Sequence, residues 1–250
     1  APYLQSPGSL TKEMNPESAR EFVKMQGAGE KVNQIQSGVT LFYSLDDFKI
    51  ESTFYLAGRS LLNPIPGRII DLNRTSSGIR TAGEKLINIK GINLKISGGI
   101  DFEYQNDKRK EFENNGLPYP GFDPADIFDN LRFGSKLIDQ TENVAGLGMF
   151  LSTETRLGQA ALLTGLRYDN FIFKIKSGYN TAEAERIMNS FSPVAGFAFS
   201  PSSNLKLHFN YSTSFQTPTA AELSNRPDGE GGFNNNLQPE KIYGYEAGTN

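Results

Sequence analysis

Apolar and polar residues alternate with a period of two along much of the chain. In Leu205–Phe215 the odd positions are Leu205, Leu207, Phe209, Tyr211, Thr213 and Phe215, and the even ones are Lys206, His208, Asn210, Ser212 and Ser214. Leu94–Tyr104 sets Leu94, Ile96, Gly98, Ile100, Phe102 and Tyr104 against Lys95, Ser97, Gly99, Asp101 and Glu103. In Phe48–Gly58, Phe48, Ile50, Phe54 and Leu56 oppose Lys49, Glu51 and Thr53. Successive side chains of a strand point to opposite faces, so each segment reads as a strand with one apolar and one polar wall.

Nine such segments are expected, near 34–44, 48–62, 68–83, 92–112, 141–156, 160–177, 187–199, 204–216 and 239–250. Their connections alternate in length. Leu45-Asp46-Asp47, Glu84–Gly91, Leu157-Gly158-Gln159 and Ser200–Ser203 are short, while 63–67, 113–140, 178–186 and 217–238 form the other set. Short turns at one end and longer links at the other are the plan of an outer-membrane barrel. The expected fold is all-β, a segment of a transmembrane antiparallel up-and-down β-barrel. A soluble sandwich or propeller alternates in the same way, but its strands usually run about 5–6 residues. Several strands here keep the pattern for about 11 or more, and a tilted strand needs about 9–11 to cross a bilayer. Phe42, Tyr43, Phe48 and Phe199 near the short turns suit an interfacial girdle, although aromatic residues are also ordinary sheet packing.

Helix signals fall in the connections. Asn15-Pro16-Glu17 is an N-cap, a first-turn proline and an acidic first turn, with Gly27 closing a short helix through Phe22, Val23 and Met25. Asp123-Pro124-Ala125-Asp126 starts a similar turn inside 113–140.

The 250 residues carry 25 Lys+Arg against 28 Asp+Glu, one His and no Cys. A net charge of -3 argues against nucleic acid, whose phosphates call for surplus cations. Without Cys there is no disulfide, thiolate chemistry or Cys-ligated metal. The mean hydropathy of -0.44 looks soluble, yet a barrel with a wet lumen looks the same. The longest apolar run, Val144 to Leu151, has eight residues, far from the about 20 of a spanning helix. Ala1-Pro2-Tyr3 does not open a signal peptide, and Tyr243–Asn250 stops within a strand-like pattern, so the sequence reads as a segment of a longer protein.

Catalytic chemistry is weakly supported. His208, Asn210 and Ser212 share one face of one strand, but same-face neighbours stand about 7 Å apart, too far for a nucleophile–base hydrogen bond. Asp123, Asp126 and Asp129 could bind calcium weakly, though capping explains them more simply. Asp46-Asp47 suits a tight turn. The cluster Asp107-Lys108-Arg109-Lys110-Glu111 reads as a solvated rim, with attraction for an anionic ligand as the functional alternative. Beyond it, the 113–140 loop carries Tyr119, Phe122, Phe128, Arg132 and Phe133, and the 217–238 loop carries Arg226, Asp228 and Phe233. Aromatic and Arg side chains offer area and directional polar contacts, so these are the ligand-contact candidates, with loop self-packing the competing role.

Phe215-Gln216-Thr217-Pro218-Thr219-Ala220-Ala221-Glu222-Leu223, followed by Asn236-Leu237-Gln238-Pro239-Glu240-Lys241 and Tyr245-Glu246-Ala247-Gly248, resembles the barrel of TonB-dependent outer-membrane receptors. In that family a strand ending in aromatic-x-x-Pro-Thr-x-x-Glu-Leu enters an extracellular loop, and the chain returns through Asn-x-x-Leu-x-Pro-Glu into a strand with Tyr-Glu-x-Gly. Gly165-Leu166-Arg167-Tyr168-Asp169 and Ser192-Pro193 with Ala195-Gly196-Phe197 resemble family strands too. Ser6-Pro7-Gly8 and Asn225–Gly229 resemble a ferric-siderophore-type branch. Pro218 and Pro239 also have a local reading, since each removes a backbone donor where a strand meets a loop.

The resemblance implies a barrel of about 22 strands with a plugged lumen, of which this segment supplies nine. It divides the chain into an extracellular loop with a short helix, 1–33, and a partial barrel domain, 34–250, the plug and C-terminal strands being absent. It implies TonB-coupled import of a scarce nutrient at the outer membrane of a Gram-negative bacterium, a ferric siderophore first. Partners would be TonB with its proton-motive-force-coupled inner-membrane complex, reached through the missing N-terminal part, the siderophore and outer-membrane lipid. The receptor would act as a monomer, without nucleic acid, enzymatic activity or intrinsic cofactor, carrying iron only within the siderophore. Competing readings are a receptor for cobalamin or a saccharide, a passive porin, a soluble β adhesion domain and a barrel lipase.

Overall fold

A computed structural model describes residues 23–118, 124–179, 182–224 and 233–249, without the side chains of 124–126 and 177. The expected alternation becomes one antiparallel sheet of nine strands in sequence order. The strands are β1 (Lys31–Leu45), β2 (Phe48–Ile65), β3 (Arg68–Ile89), β4 (Ile92–Asn114), β5 (Phe133–Leu157), β6 (Ala160–Tyr179), β7 (Ala184–Ser202), β8 (Leu205–Gln216) and β9 (Glu240–Thr249). A 3-10 helix, Pro124–Asp129, interrupts the β4–β5 connection, and a short helix, α1 (Ala220–Ser224), interrupts the β8–β9 connection.

Turn chemistry fixes one end of the sheet. Leu45 pairs with Phe48 across Asp46-Asp47, with Asp46 at a φ of 47°, a conformation Asp tolerates. Ile89 pairs with Ile92 across Lys90 (φ 49°) and Gly91 (φ 86°), two left-handed residues as a tight hairpin turn requires. The eight-residue turn expected at 84–91 is therefore two residues long. Glu84 lies within β3, where Lys49, 3.5 Å away on β2, and Lys95, 2.8 Å away on β4, pair with it across the ladder. β5 begins at Phe133, eight residues before the expected start, and ladder irregularities at Phe112 and Asp139 break the alternation there.

The strands are staggered. A row of paired residues starting at Leu45, the turn end of β1, runs through Phe48, Lys85, Ile96, Thr153 and Thr164 to Ala195, seven residues short of the turn end of β7 at Ser202. That drift corresponds to a strand tilt of about 40°, within the range of membrane barrels.

Directly paired residues share a face, so the ladder sorts every side chain. On one face Leu94, Ile96, Ile100, Phe102 and Tyr104 of β4 stand in line with Leu151, Met149 and Leu147 of β5. Large apolar side chains remain exposed across this face from Ile35 to Tyr245. Tyr168 meets Phe191 at 4.8 Å, with Asn170 opposite Asn189 immediately beyond. At the stated tilt, Leu94 to Tyr104 spans about 25 Å along the barrel axis, the height of a lipid-facing band. Of the four girdle candidates, Tyr43, Phe48 and Phe199 lie on this outer face, whereas Phe42 pairs with Glu51 on the inner face.

In the intact protein, Ile100→Arg should destabilise the barrel by about 2–4 kcal/mol, because Ile100 lies mid-band, while Ser97→Arg on the inner wall should change stability by less than about 0.5 kcal/mol. Urea titration of folding into lipid vesicles measures both.

Candidate functional site

The inner face of β2–β5, beyond the level of the band, is a network of charges. The row Gln34, Arg59, Arg74, Asp107, Glu142 crosses five strands. Arg74 donates to both oxygens of Asp107, Nε at 2.8 Å and Nη2 at 2.7 Å, and Gln105 donates to Asp107 at 3.0 Å. Two rows further out, Glu111 accepts from both Arg68 and Arg109 at 2.7 Å. Gln140 donates to Glu142 at 2.6 Å. The side chains of Asp107, Glu111 and Glu142 are 1%, 1% and 2% exposed, and such carboxylates are tolerable only because each has partners. Beside them an open groove of about 660 Å³ is lined by Gln34, Gln36, Tyr55, Arg59, Arg74 and Gln105.

A second network lies toward the short turns. Asp101 accepts from Arg80 at 2.7 Å and from Arg167 at 2.7 Å, and Arg167 also holds Asp169 at 2.9 Å. Arg167 is on β6 and Asp101 on β4, so the guanidinium crosses β5. It passes over Gly148, where a Cβ would stand 2.9 Å from the guanidinium carbon.

The β8–β9 connection folds onto the inner wall. Val144, Phe171, Phe173, Ile175, Ala184 and Met188 form an apolar patch there, covered by Ala220 and Leu223 of α1 and by Phe233 and Leu237; Leu223 is fully buried. Arg186 on β7 holds this strap by donating to the carbonyls of Asn234, at 2.7 Å, and Leu237. Asn234 N–H donates to Leu223 O at 2.6 Å, and Ser224 Oγ reaches Glu142 at 3.5 Å.

This seat gives the family-like motif a physical meaning. Thr219 and Glu222 form a capping box: Glu222 N–H donates to Thr219 Oγ1 at 3.2 Å, and Thr219 N–H donates to the Glu222 carboxylate at 2.8 Å. Leu223 is the anchor, and Pro218 precedes the cap. Pro239 precedes β9, and Glu240 pairs with Gln216 at the strand end. Tyr245 meets Tyr211 at 5.1 Å on the outer face, Glu246 accepts from Asn210 at 3.1 Å inside, and Gly248 pairs with His208.

The ligand-contact candidates do not form one cluster. Tyr119, Phe122, Arg226 and Asp228 lie outside the described residues. Phe233 belongs to the strap and is buried against the inner wall. Arg132 is on the β4–β5 connection and donates to Leu117 O at 2.8 Å; Phe133 packs edge-on against Phe112 at 5.2 Å. That connection turns outward: Leu117, Ile127 and Leu131 cover Leu62 and Ile69, with Phe128 beside them. Asn114 ties it down by donating to Gln26 O at 2.7 Å and Ile65 O at 3.0 Å while accepting from Gly116 N–H.

The charge cluster expected to be a solvated rim divides by strand parity. Asp107, Arg109 and Glu111 form the inner network, whereas Lys108 and Lys110 are exposed on the opposite face. Arg74, Glu142 and Arg186 carried no motif signal beyond being charges at inner positions of their strands. Among the described residues, Asn210 bonds Glu246 and no hydrogen bond joins Ser212 to His208. No group of three acidic or imidazole side chains is placed to hold a metal among the described residues, Asp123 and the Asp126 side chain lying outside them.

Two outcomes test these contacts. Gly148→Val should displace Arg167 and cost about 1–3 kcal/mol, and Arg167→Ala should then add little in the Val background, a coupling that a double-mutant cycle measures. The Thr219 N–H, then the Thr219 hydroxyl, hold the Glu222 carboxyl below its ordinary range. A lowered folded pKa makes the cap complete above the ordinary carboxylate range and loses it as pH falls through the folded value. The protection of the Leu223 amide, with the intrinsic slowing of exchange in acid divided out, should fall on such acidification, and Glu222→Gln should abolish that loss.

The TonB dependent receptor-like, beta-barrel family matches residues 27–250. The ferric citrate transporter FecA in its unliganded form superposes with a TM-score of 0.68 at 15% identity, over 89% of this chain and 32% of FecA. The ferric-catecholate import receptor Fiu from E. coli K12, in its closed form, gives 0.65 at 13% identity, over 89% and 38%. The copper transporter OprC gives 0.66 at 15% identity, over 89% and 37%. The chain thus spans about a third of the length of these proteins, and at such identities the likeness is one of fold. The family match over nearly the whole chain joins the staggered ladder, the outer apolar band and the capped loop motif to one conclusion: this chain belongs to the TonB-dependent receptors and forms part of their β-barrel.

Proposed function

We propose that the protein containing this wall imports a scarce metal chelate across the outer membrane of a Gram-negative bacterium, with a ferric siderophore as its ligand. The strap carries this reading. A connection at the long-loop end is folded into the barrel, seated on Leu223 and clamped by Arg186, so the mouth is shaped by ordered backbone. A loop seated in this way offers a receptor a preorganised surface for one solute. The ferric ligands named for FecA and Fiu support iron, and the copper named for OprC makes the metal the point to test.

In this reading the chelate binds loop residues, with Tyr119, Phe122, Arg226 and Asp228 as contacts and Arg132, Phe133 and Phe233 holding their loops in place. Iron is cargo, no covalent step is needed, and the gate opens through a conformational change driven through TonB by the proton-motive force. The receptor works as a monomer in outer-membrane lipid.

Uptake of radiolabelled iron on a panel of siderophores, and of copper, by cells with and without the complete gene tests the proposal. Loss of uptake for one ferric chelate, restored by the intact gene only when TonB is present, is the expected result. Unchanged iron uptake with loss of copper, cobalamin or saccharide uptake would replace the ligand, and TonB-independent uptake would replace the mechanism.

A further inference from the structure

We infer that the polar groove on the inner wall of β1–β4, left open beside the strap, holds the incoming chelate through its carboxylate oxygens, so that the cargo is a ferric polycarboxylate. This rests on the import reading and narrows it to one substrate class.

One ladder row of the inner face joins the groove to the strap. It runs from Gln36 through Ser76 and Gln105 to Val144, Phe173 and Arg186. The far half is apolar at Val144 and Phe173 and lies under the strap, which Arg186 clamps. Among the described residues, the contacts of the strap with the wall fall on β5–β7, including that of Ser224 with Glu142. The near half, with its groove of about 660 Å³, is thus the side of the mouth that the strap leaves open.

Hydrogen-bonding capacity in this groove is lopsided. Arg74 spends Nε and Nη2 on Asp107, and Gln105 spends its amide nitrogen on the same carboxylate. Asp107 is buried and fully engaged, so it offers a solute nothing. Arg59 is tied through Nη2 to Glu30 at 3.3 Å, while its buried Nε has no partner among the described residues. That ion pair is long and partly exposed, hence weak and open to exchange. Gln34 donates to Gln36 Oε1 at 3.2 Å. The Gln36 amide nitrogen, Arg74 Nη1 and the Ser76 hydroxyl donate to nothing among the described residues. Unspent donors therefore outnumber acceptors, and two guanidinium groups are among them. A carboxylate only accepts and suits such a surface; a hydroxyl would need an acceptor of its own. Aryl groups fit less well. Tyr55 is the one ring among the lining residues, and it lies against Gly78, where a Cβ would stand 2.5 Å from its ring atoms. One face of that ring is thus already covered, which leaves little aromatic area for stacking.

The test combines calorimetric binding to the purified intact receptor in detergent with TonB-dependent uptake by cells. The probes are two polycarboxylates, ferric citrate and ferric rhizoferrin, a ferric tris-catecholate, and the ferric trihydroxamate ferrioxamine B. One polycarboxylate should bind about tenfold or more tighter than the catecholate and the trihydroxamate. Arg59→Gln should weaken that binding about tenfold. Gln36→Glu changes no volume at an exposed position, so the fold is kept, and the added charge should weaken binding about tenfold as well. Arg156→Gln, a charge removed from the inner wall at the short-turn end of β5, should alter it less than about twofold. Failure of both polycarboxylates to bind, tighter binding of the catecholate or the trihydroxamate, or undiminished binding in either groove variant would each overturn the assignment. TonB-dependent uptake of a catecholate, unchanged by Gln36→Glu, would remove this assignment and leave the import reading standing. Polycarboxylate binding in the groove without TonB-dependent uptake would do the reverse.

Discussion

A backbone N–H or C=O that meets hydrocarbon without a partner costs several kcal/mol, and a strand has no partner within itself. Everything else in this wall follows from the need to pair such groups strand by strand. Pairing demands a continuous antiparallel ladder; the ladder gives every residue one of two faces; and bilayer and lumen impose opposite chemistry on them. The tilt is part of the same constraint, since a staggered ladder is the one that closes around an axis. Two-residue turns such as Lys90-Gly91 keep that stagger fixed at one end, which leaves the other end free to carry loops.

The inner wall answers a different demand. Asp107, Glu111 and Glu142 are buried on the polar side of the sheet, where each would be intolerable alone. Arg109 and Gln140 reach Glu111 and Glu142 from two positions away on the same strands, whereas Arg68 and Arg74 reach Glu111 and Asp107 from β3, and those two partners are correct only if the register is. A slip of one residue would turn these groups toward the membrane face. Where the inner wall is apolar instead, around Phe171, Phe173 and Met188, the chain supplies its own cover in the strap. The capping box, the buried Leu223 and the Arg186 clamp are thus one solution to leaving apolar surface on the wet side of a barrel.

Strands were legible because period two survives without tertiary information. It was strongest where faces differ most, as in Leu94–Tyr104, and failed at Phe133–Gln140, where ladder irregularities interrupt the alternation. The β3 end was misjudged because Glu84 is a charge whose partners lie on β2 and β4, remote in sequence. The cluster at 107–111 was visible as charge, but a linear reading sums what a strand separates. Loop placement was not legible at all. Asn114 binds Gln26, 88 positions away, and no local pattern encodes such a contact. Thr219 and Glu222 carry a short-range signal that identifies a cap, yet the side of the wall on which it rests depends on Phe171 and Phe173.

The Arg167 side chain has a consequence for how the wall carries load. Ladder hydrogen bonds join only neighbouring strands, so each seam between strands can shear on its own. By reaching across β5 to Asp101, Arg167 adds a tie that skips a strand and acts around the circumference like a segment of hoop. Ties of this kind stiffen a cylinder against ovalisation while adding nothing to its axial strength. When force is applied along the axis to move an object through the bore, a wall that keeps its cross-section directs the work into that object instead of into its own deformation.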